Sequence, residues 1–344
     1  MLLFILFVLG AHVGSFLNVC IWRLPRGESV VEPPSHCPQC DTRLQPLDLI
    51  PLVSQVALRG RCRYCGTKIS WRYFGMEFLT GVLFLLVGMV PGNITGGYAT
   101  GVWTGDLVTL GRNLLVVSCL IVVFWVDYDT FLIPISSALL IGLAGVAADV
   151  WHIVQDGKAM TWAPFLEWNM LPAPLPESLV AMVATAAALW LIREVTSRIY
   201  GREAMGFGDV FLVAGIAANI GWSAAIGTFF FLSVVLGAVI GIGMQIPRAI
   251  RVRRWALARW GDAGRGKSKQ LVRHAFRRSM PFGPMLAIGA FVTMLYGPSI
   301  NEAYGAWAMP PVTSGEVPVP EMYPQGVPSP QGVPSPPPVG SMFR

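Results

Sequence analysis

Residues 205–210 read Met205-Gly206-Phe207-Gly208-Asp209-Val210, and from Val210 to Gln245 the chain carries no charge. A carboxylate that follows two glycines and opens an apolar run of that length belongs at the edge of a membrane, not inside a soluble core. Its counterpart is Asp127, in Val126-Asp127-Tyr128-Asp129, which closes the apolar run 107–126. A charge at the end of a membrane helix stays hydrated, whereas one at mid-depth is costly. Two such acids are either interfacial caps or a functional pair, and their spacing alone leaves both readings open.

Outward from these two acids the whole chain has the composition of a multi-span membrane protein. Over 344 residues it is 54% apolar and 13% charged, with a mean hydropathy of +0.57. Apolar segments fall near 2–21, 76–91, 107–126, 134–152, 177–192, 209–222, 223–246 and 282–298. Those near fifteen residues are short for a span of about 20. The expected fold is an all-α polytopic membrane protein of about eight transmembrane helices with a small cytoplasmic zinc-ribbon-like loop domain. In the sixth and seventh segments only Asn219-Ile220-Gly221-Trp222 offers a turn.

The basic residues test this count. Of 25 lysines and arginines, 22 fall in the stretches 22–75, 193–203 and 247–281, which eight spans place on one side. Cytoplasmic loops carry the basic excess, so both termini are expected outside. The net charge of +6 follows from these loops; the stretch 247–281, with Trp255 and Trp260, suits anionic lipid, and nucleic acid need not be invoked. The first segment lacks a basic n-region, which argues for an uncleaved span over a signal peptide.

The division expected is 1–21 as the first transmembrane helix, 22–75 as a cytoplasmic zinc-binding domain with four cysteines, and 76–298 as a seven-helix membrane domain. Residues 299–344, where Gln325-Gly326-Val327-Pro328-Ser329-Pro330 repeats at once, form a Pro-rich extracytoplasmic tail. Within 22–75 stand Cys37-Pro38-Gln39-Cys40 and Cys62-Arg63-Tyr64-Cys65. Paired thiolates on tight turns suit tetrahedral zinc, although the gap is one residue beyond the usual ribbon range. Disulfides are the competing use, and a cytoplasmic loop disfavours them. Four thiolates leave zinc no open position, so Cys37, Cys40, Cys62 and Cys65 predict a structural ion. In the first span Gly14 and Asn18 share a face, as do Ala11 and Ser15, which reads as helix-packing surface.

Asp127 and Asp209 both fall at cytoplasmic span ends in this topology. Two carboxylates at close range share a proton, so one can act as base toward water and the other as acid toward the peptide. Gly206 and Gly208 would let backbone approach a bound peptide. Asp129 competes with Asp127, and spacing does not choose between them.

The chain resembles the prepilin peptidases, membrane aspartic peptidases that process type IV pilins and type II secretion pseudopilins. Gly14-Ser15-Phe16-Leu17-Asn18-Val19 with Arg23-Leu24-Pro25, the two cysteine knuckles, Asp127-Tyr128-Asp129 with Ile133-Pro134, Gly206-Phe207-Gly208-Asp209 and Pro281-Phe282-Gly283-Pro284 are similar to the family's motifs in the family's order. The resemblance implies Asp127 rather than Asp129 as the first catalytic acid, and Asp209 as the second. It implies cleavage of a basic leader after a glycine at the cytoplasmic face of the inner membrane. S-adenosylmethionine-dependent N-methylation of the new N-terminus is implied too, although no glycine-rich cofactor fingerprint is present. Prepilins or pseudopilins, lipids, and the pilus or secretion machinery are the implied partners. Two positions depart from the pattern: Phe211 stands where lysine is common, and Ile135 where an acid is. The rival readings are a transporter that uses the carboxylates as a relay, and an inactive scaffold that docks through the zinc loop.

Overall fold

The structure, a computed structural model, describes residues 1–89, 107–156, 176–201, 203, 205–221, 224–260 and 281–308. The chain divides into two units, Met1–Asn301 and Glu302–Arg344; the described part of the second is the helical stretch 302–308. Among the described residues there is no strand, and nine α-helices follow in chain order: α1 Leu2–Arg23, α2 Val53–Ala57, α3 Trp71–Met89, α4 Leu107–Thr130, α5 Ile135–Asp156, α6 Glu177–Tyr200, α7 Phe207–Ile220, α8 Ala224–Trp260 and α9 Gly283–Ala308.

Each of the eight apolar segments is a helix. Six are long and apolar enough to cross a membrane, and two, Phe207–Ile220 and Gly283–Gly297, are apolar but shorter. Leu24–Arg26 continues the first as a turn of 3-10 helix. The chain leaves α7 through Gly221, at a φ of 75° that L side chains rarely adopt, where the hairpin turn was expected. Residues 222–223 lie outside the described set.

Helix ends differ from the apolar boundaries for a physical reason. α8 runs through the expected loop start at 247 to Trp260, across Pro247. Arginine and alanine, which recur through 248–259, are good helix formers, so polarity ends the apolar run without ending the helix. α9 likewise continues to Ala308, beyond the expected end at 298. The remainder of the basic loop, residues 261–280, and the Pro-rich repeat lie outside the described residues.

Packing rests on small residues, as it must where lipid tails are as apolar as leucine. α1 lies along α3, and α7 packs against α5 and α6. A Cβ on Gly10 would stand 2.8 Å from the Gly81 Cα, and one on Gly14 2.9 Å from the Glu77 Cα, so the two backbones touch. The small face of the first span is therefore a helix-packing seam. Two cores result: one gathers Val123, Ile141, Leu212, Phe229 and Leu286 from α4, α5, α7, α8 and α9, and the other Leu17, Met76 and Val117 from α1, α3 and α4.

Candidate active site

The cysteine module is built from one motif used twice. Ser35–Leu44 and Gly60–Ile69 make the same bonds, 25 residues apart. The Cys37 amide donates to the Thr42 carbonyl and the Cys62 amide to that of Thr67; the Asp41 and Gly66 amides return to the carbonyls of Cys37 and Cys62. The expected ribbon is thus reduced to two knuckles, each closed by a single antiparallel bridge, His36–Arg43 and Arg61–Lys68. Asp41 and Gly66, directly after the second cysteine of each knuckle, both take a positive φ, 53° and 70°.

This geometry brings Cys37, Cys40, Cys62 and Cys65 together, with all four sulfurs within 4.8 Å of one another. The Cys37 and Cys65 sulfurs are 3.9 Å apart, close to the ~3.8 Å edge of a tetrahedron with ~2.3 Å metal–sulfur bonds. The donor set fits a metal ion. Hydrogen bonds from the Thr42 side chain and backbone hold the Cys40 thiol below its ordinary range, at about 6. The second knuckle is tied to the linker through Asp48, which accepts from the Tyr64 hydroxyl at 2.8 Å and pairs with Arg63 at 2.7 Å. The module is anchored to α3 by buried Glu77, which accepts from the Leu52 amide at 2.8 Å, and to the residue just before α3 by Gln55, which donates to the Ser70 carbonyl at 3.1 Å.

Of the two acids, Asp127 lies one turn before the end of α4 and is 5% exposed. Its Oδ2 accepts from the Gly283 amide, 2.8 Å away, at the start of α9. The positive end of a helix and a free N–H therefore face this carboxylate. Asp209 is the third residue of α7 and reaches back to the Gly206 backbone, as the acid of a capping box does. The two carboxylates are close enough to interact electrostatically. What brings the turns together is Gly208: a Cβ there would stand 2.8 Å from the Ile133 Cβ, so α7 starts directly against the loop that leaves α4.

Asp129 is engaged elsewhere. Its carboxylate pairs with Arg72 of α3 at 2.5 Å, and that guanidinium lies 4.5 Å from the centre of the Trp125 ring. Phe211 packs its ring against Phe207, with centres 6.0 Å apart, and Ile135 opens α5 exposed. Sequence reasoning missed Gly283 as a partner of Asp127, although Pro281-Phe282-Gly283-Pro284 stands out as a motif; a backbone amide has no signature of its own. It also counted Arg72 and Arg193 only as topology charges. An apolar groove between α3, α4 and α9, lined by Leu79, Leu83, Phe124, Trp125 and Ile288 among others, ends within a turn of Asp127.

Fold and site together define a polytopic helical membrane protein with a four-cysteine module and an interacting carboxylate pair where two helices meet. Residues 8–90 match the bacterial peptidase A24 N-terminal domain, and residues 114–242 match the type IV leader peptidase family. A protein of Myxococcus xanthus named prepilin leader peptidase/N-methyltransferase is 31% identical, over 88% of this chain and 92% of its own length. Proteins of the same name from Neisseria gonorrhoeae and Klebsiella pneumoniae are 30% and 34% identical, over 89% and 66% of this chain and 94% and 89% of their own. The chain belongs to the type IV leader peptidase family. No solved structure matches it.

Proposed function

We propose that this protein is a membrane aspartic endopeptidase that removes the basic leader of type IV prepilins or pseudopilins at the cytoplasmic face of the inner membrane, with Asp127 and Asp209 as its catalytic acids. The observation that carries this reading is the meeting of the two acid-bearing turns from distant parts of the chain, where Gly208 packs against Ile133 and the Gly283 amide at a helix N-terminus orients Asp127. With one proton between them, one carboxylate takes a proton from water as its oxygen attacks the scissile carbonyl, and the other gives its proton to the carbonyl oxygen; the first then passes the proton it took to the leaving amine while the second takes one back from a hydroxyl of the tetrahedral intermediate. The C–N bond breaks, and the leader leaves with a new carboxylate. The apolar groove between α3, α4 and α9 would take apolar side chains of the substrate's helix.

Cys37, Cys40, Cys62 and Cys65 would hold a structural Zn2+, which supplies cross-linking of the two knuckles and no chemistry at the carboxylates. The N-methylation in the relatives' names supports a second activity here, with S-adenosylmethionine as methyl donor. The basic residues in 22–75, 193–203 and 247–281 support a cytoplasmic module and extracytoplasmic termini. Transport is the weaker reading, because Asp127 and Asp209 stand at helix ends and not at mid-span.

The test is cleavage of a purified prepilin. Asp127→Asn and Asp209→Asn each abolish processing while membrane insertion and metal content persist, and Asp129→Asn still cuts. Cleavage surviving in Asp127→Asn would overturn the assignment.

A further inference from the structure

Each aspartate-bearing turn is gripped by an arginine from a helix that carries neither acid, and both grips pair a carboxylate with the arginine's edge and a ring with its face. Around Asp209 the arginine is Arg193 of α6. Its Nε donates to the Met205 carbonyl at 3.1 Å, its Nη2 pairs with Glu203 at 3.2 Å, and its guanidinium carbon lies 4.5 Å from the centre of the Phe207 ring. The side chain is only 12% exposed. Arg193 thus holds three of the residues between Glu203 and Phe207 that deliver the chain to Asp209, and the Phe207–Phe211 contact extends the stack along the first turn of α7. Around Asp127 the arginine is Arg72 of α3, which pairs with Asp129 and lies over Trp125, so it touches the residues two before and two after the acid.

We propose that Arg193 and Arg72 are positioning residues for the carboxylate pair; the inference rests on the peptidase reading above. The physical need is plain at Asp209. The turn before it contains Gly206 and Gly208, its N-cap has no side chain to cap the helix, and glycine by itself fixes no backbone angle. A planar guanidinium can bond a carbonyl or carboxylate through its edge while its face covers a ring, which a lysine ammonium does not do. The carboxylates bonded are Glu203 and Asp129, so neither of these ion pairs is made with Asp127 or Asp209. A dyad that must grip one water is sensitive to small displacement: a shift of about 1 Å can cost ~100-fold in rate.

The experiment measures kcat and KM for leader cleavage by the full-length protein in liposomes, with a purified prepilin as substrate. Arg193→Leu and Arg72→Leu are each expected to lower kcat by ~10- to 100-fold and to leave KM within about twofold, because the contacts of both side chains are to residues that flank the acids. Arg193→Lys restores part of the kcat lost in Arg193→Leu. Phe207→Leu, which keeps the bond to Met205 and removes the ring, also lowers kcat, and it serves as the readout should Arg193→Leu not fold. Wild-type kcat in folded Arg193→Leu and Arg72→Leu, or in Phe207→Leu, overturns the proposal, as does a loss that raises KM alone. Asp209→Asn is run alongside: if it still cleaves, the peptidase reading fails, whereas a dead Asp209→Asn beside a fully active Arg193→Leu sinks the clamp only.

Discussion

A methyl group at residue 283 would stand 2.7 Å from Asp127 Oδ2 and 3.0 Å from its carboxyl carbon, well inside contact distance. Gly283→Ala is therefore expected to push Asp127 off its amide and to cut leader cleavage by at least ~10-fold, while the protein still inserts and keeps its metal; a purified variant with wild-type turnover would contradict this. Asp127, Asp209 and the four cysteines were legible in the sequence because a charge closing an apolar run, or a paired thiol, stands out from its surroundings. Gly283 was not, since what it contributes is a backbone N–H. The choice between Asp127 and Asp129 was open on spacing. What distinguishes their surroundings is Arg72, 57 residues away, which pairs with Asp129.

The two knuckles make the same demand on equivalent backbone positions, a positive φ, and meet it with different residues. Gly66 takes its positive φ without strain, whereas Asp41, its equivalent, pays the side-chain penalty. Asp41→Gly should accordingly stabilise the module by ~0.5–1 kcal/mol and Gly66→Val should destabilise it by ~1–2 kcal/mol, read out as resistance of bound metal to a chelator. Between helices the touching backbones of α1 and α3 leave no room for a side chain, so Gly14→Leu should cost ~1–3 kcal/mol of stability in detergent. Existence of these helices was legible from hydropathy; their ends were not. Apolar content reports where lipid stops, and helix propensity carried α8 through Arg251, Arg253 and Arg254 to Trp260. The correspondence of Ser35–Leu44 with Gly60–Ile69 was also available in the sequence, as Cys-x-x-Cys followed by Asp-Thr or Gly-Thr, and was hidden by attention to the cysteines alone.

Across the molecule the cysteine module and the carboxylate pair share no residue. They are joined through α3, whose Glu77 holds Leu52 and whose Arg72 holds Asp129. Removing the metal should therefore make residues 37–68 sensitive to protease before it affects turnover, and Cys62→Ser should lower the yield of folded protein more than the kcat of what remains. Equal, immediate loss of both on chelation would argue for a metal role in the chemistry. The longest reach in the site is the bond from Gly283 to Asp127, which spans 156 residues of chain. A ribosome must pass residue 283 before that contact can form, so a half-synthesised chain lacks it. Two fragments divided within residues 261–280 should each be silent and should regain leader cleavage when co-expressed. Emergence of α9 is then the step that completes the surroundings of Asp127.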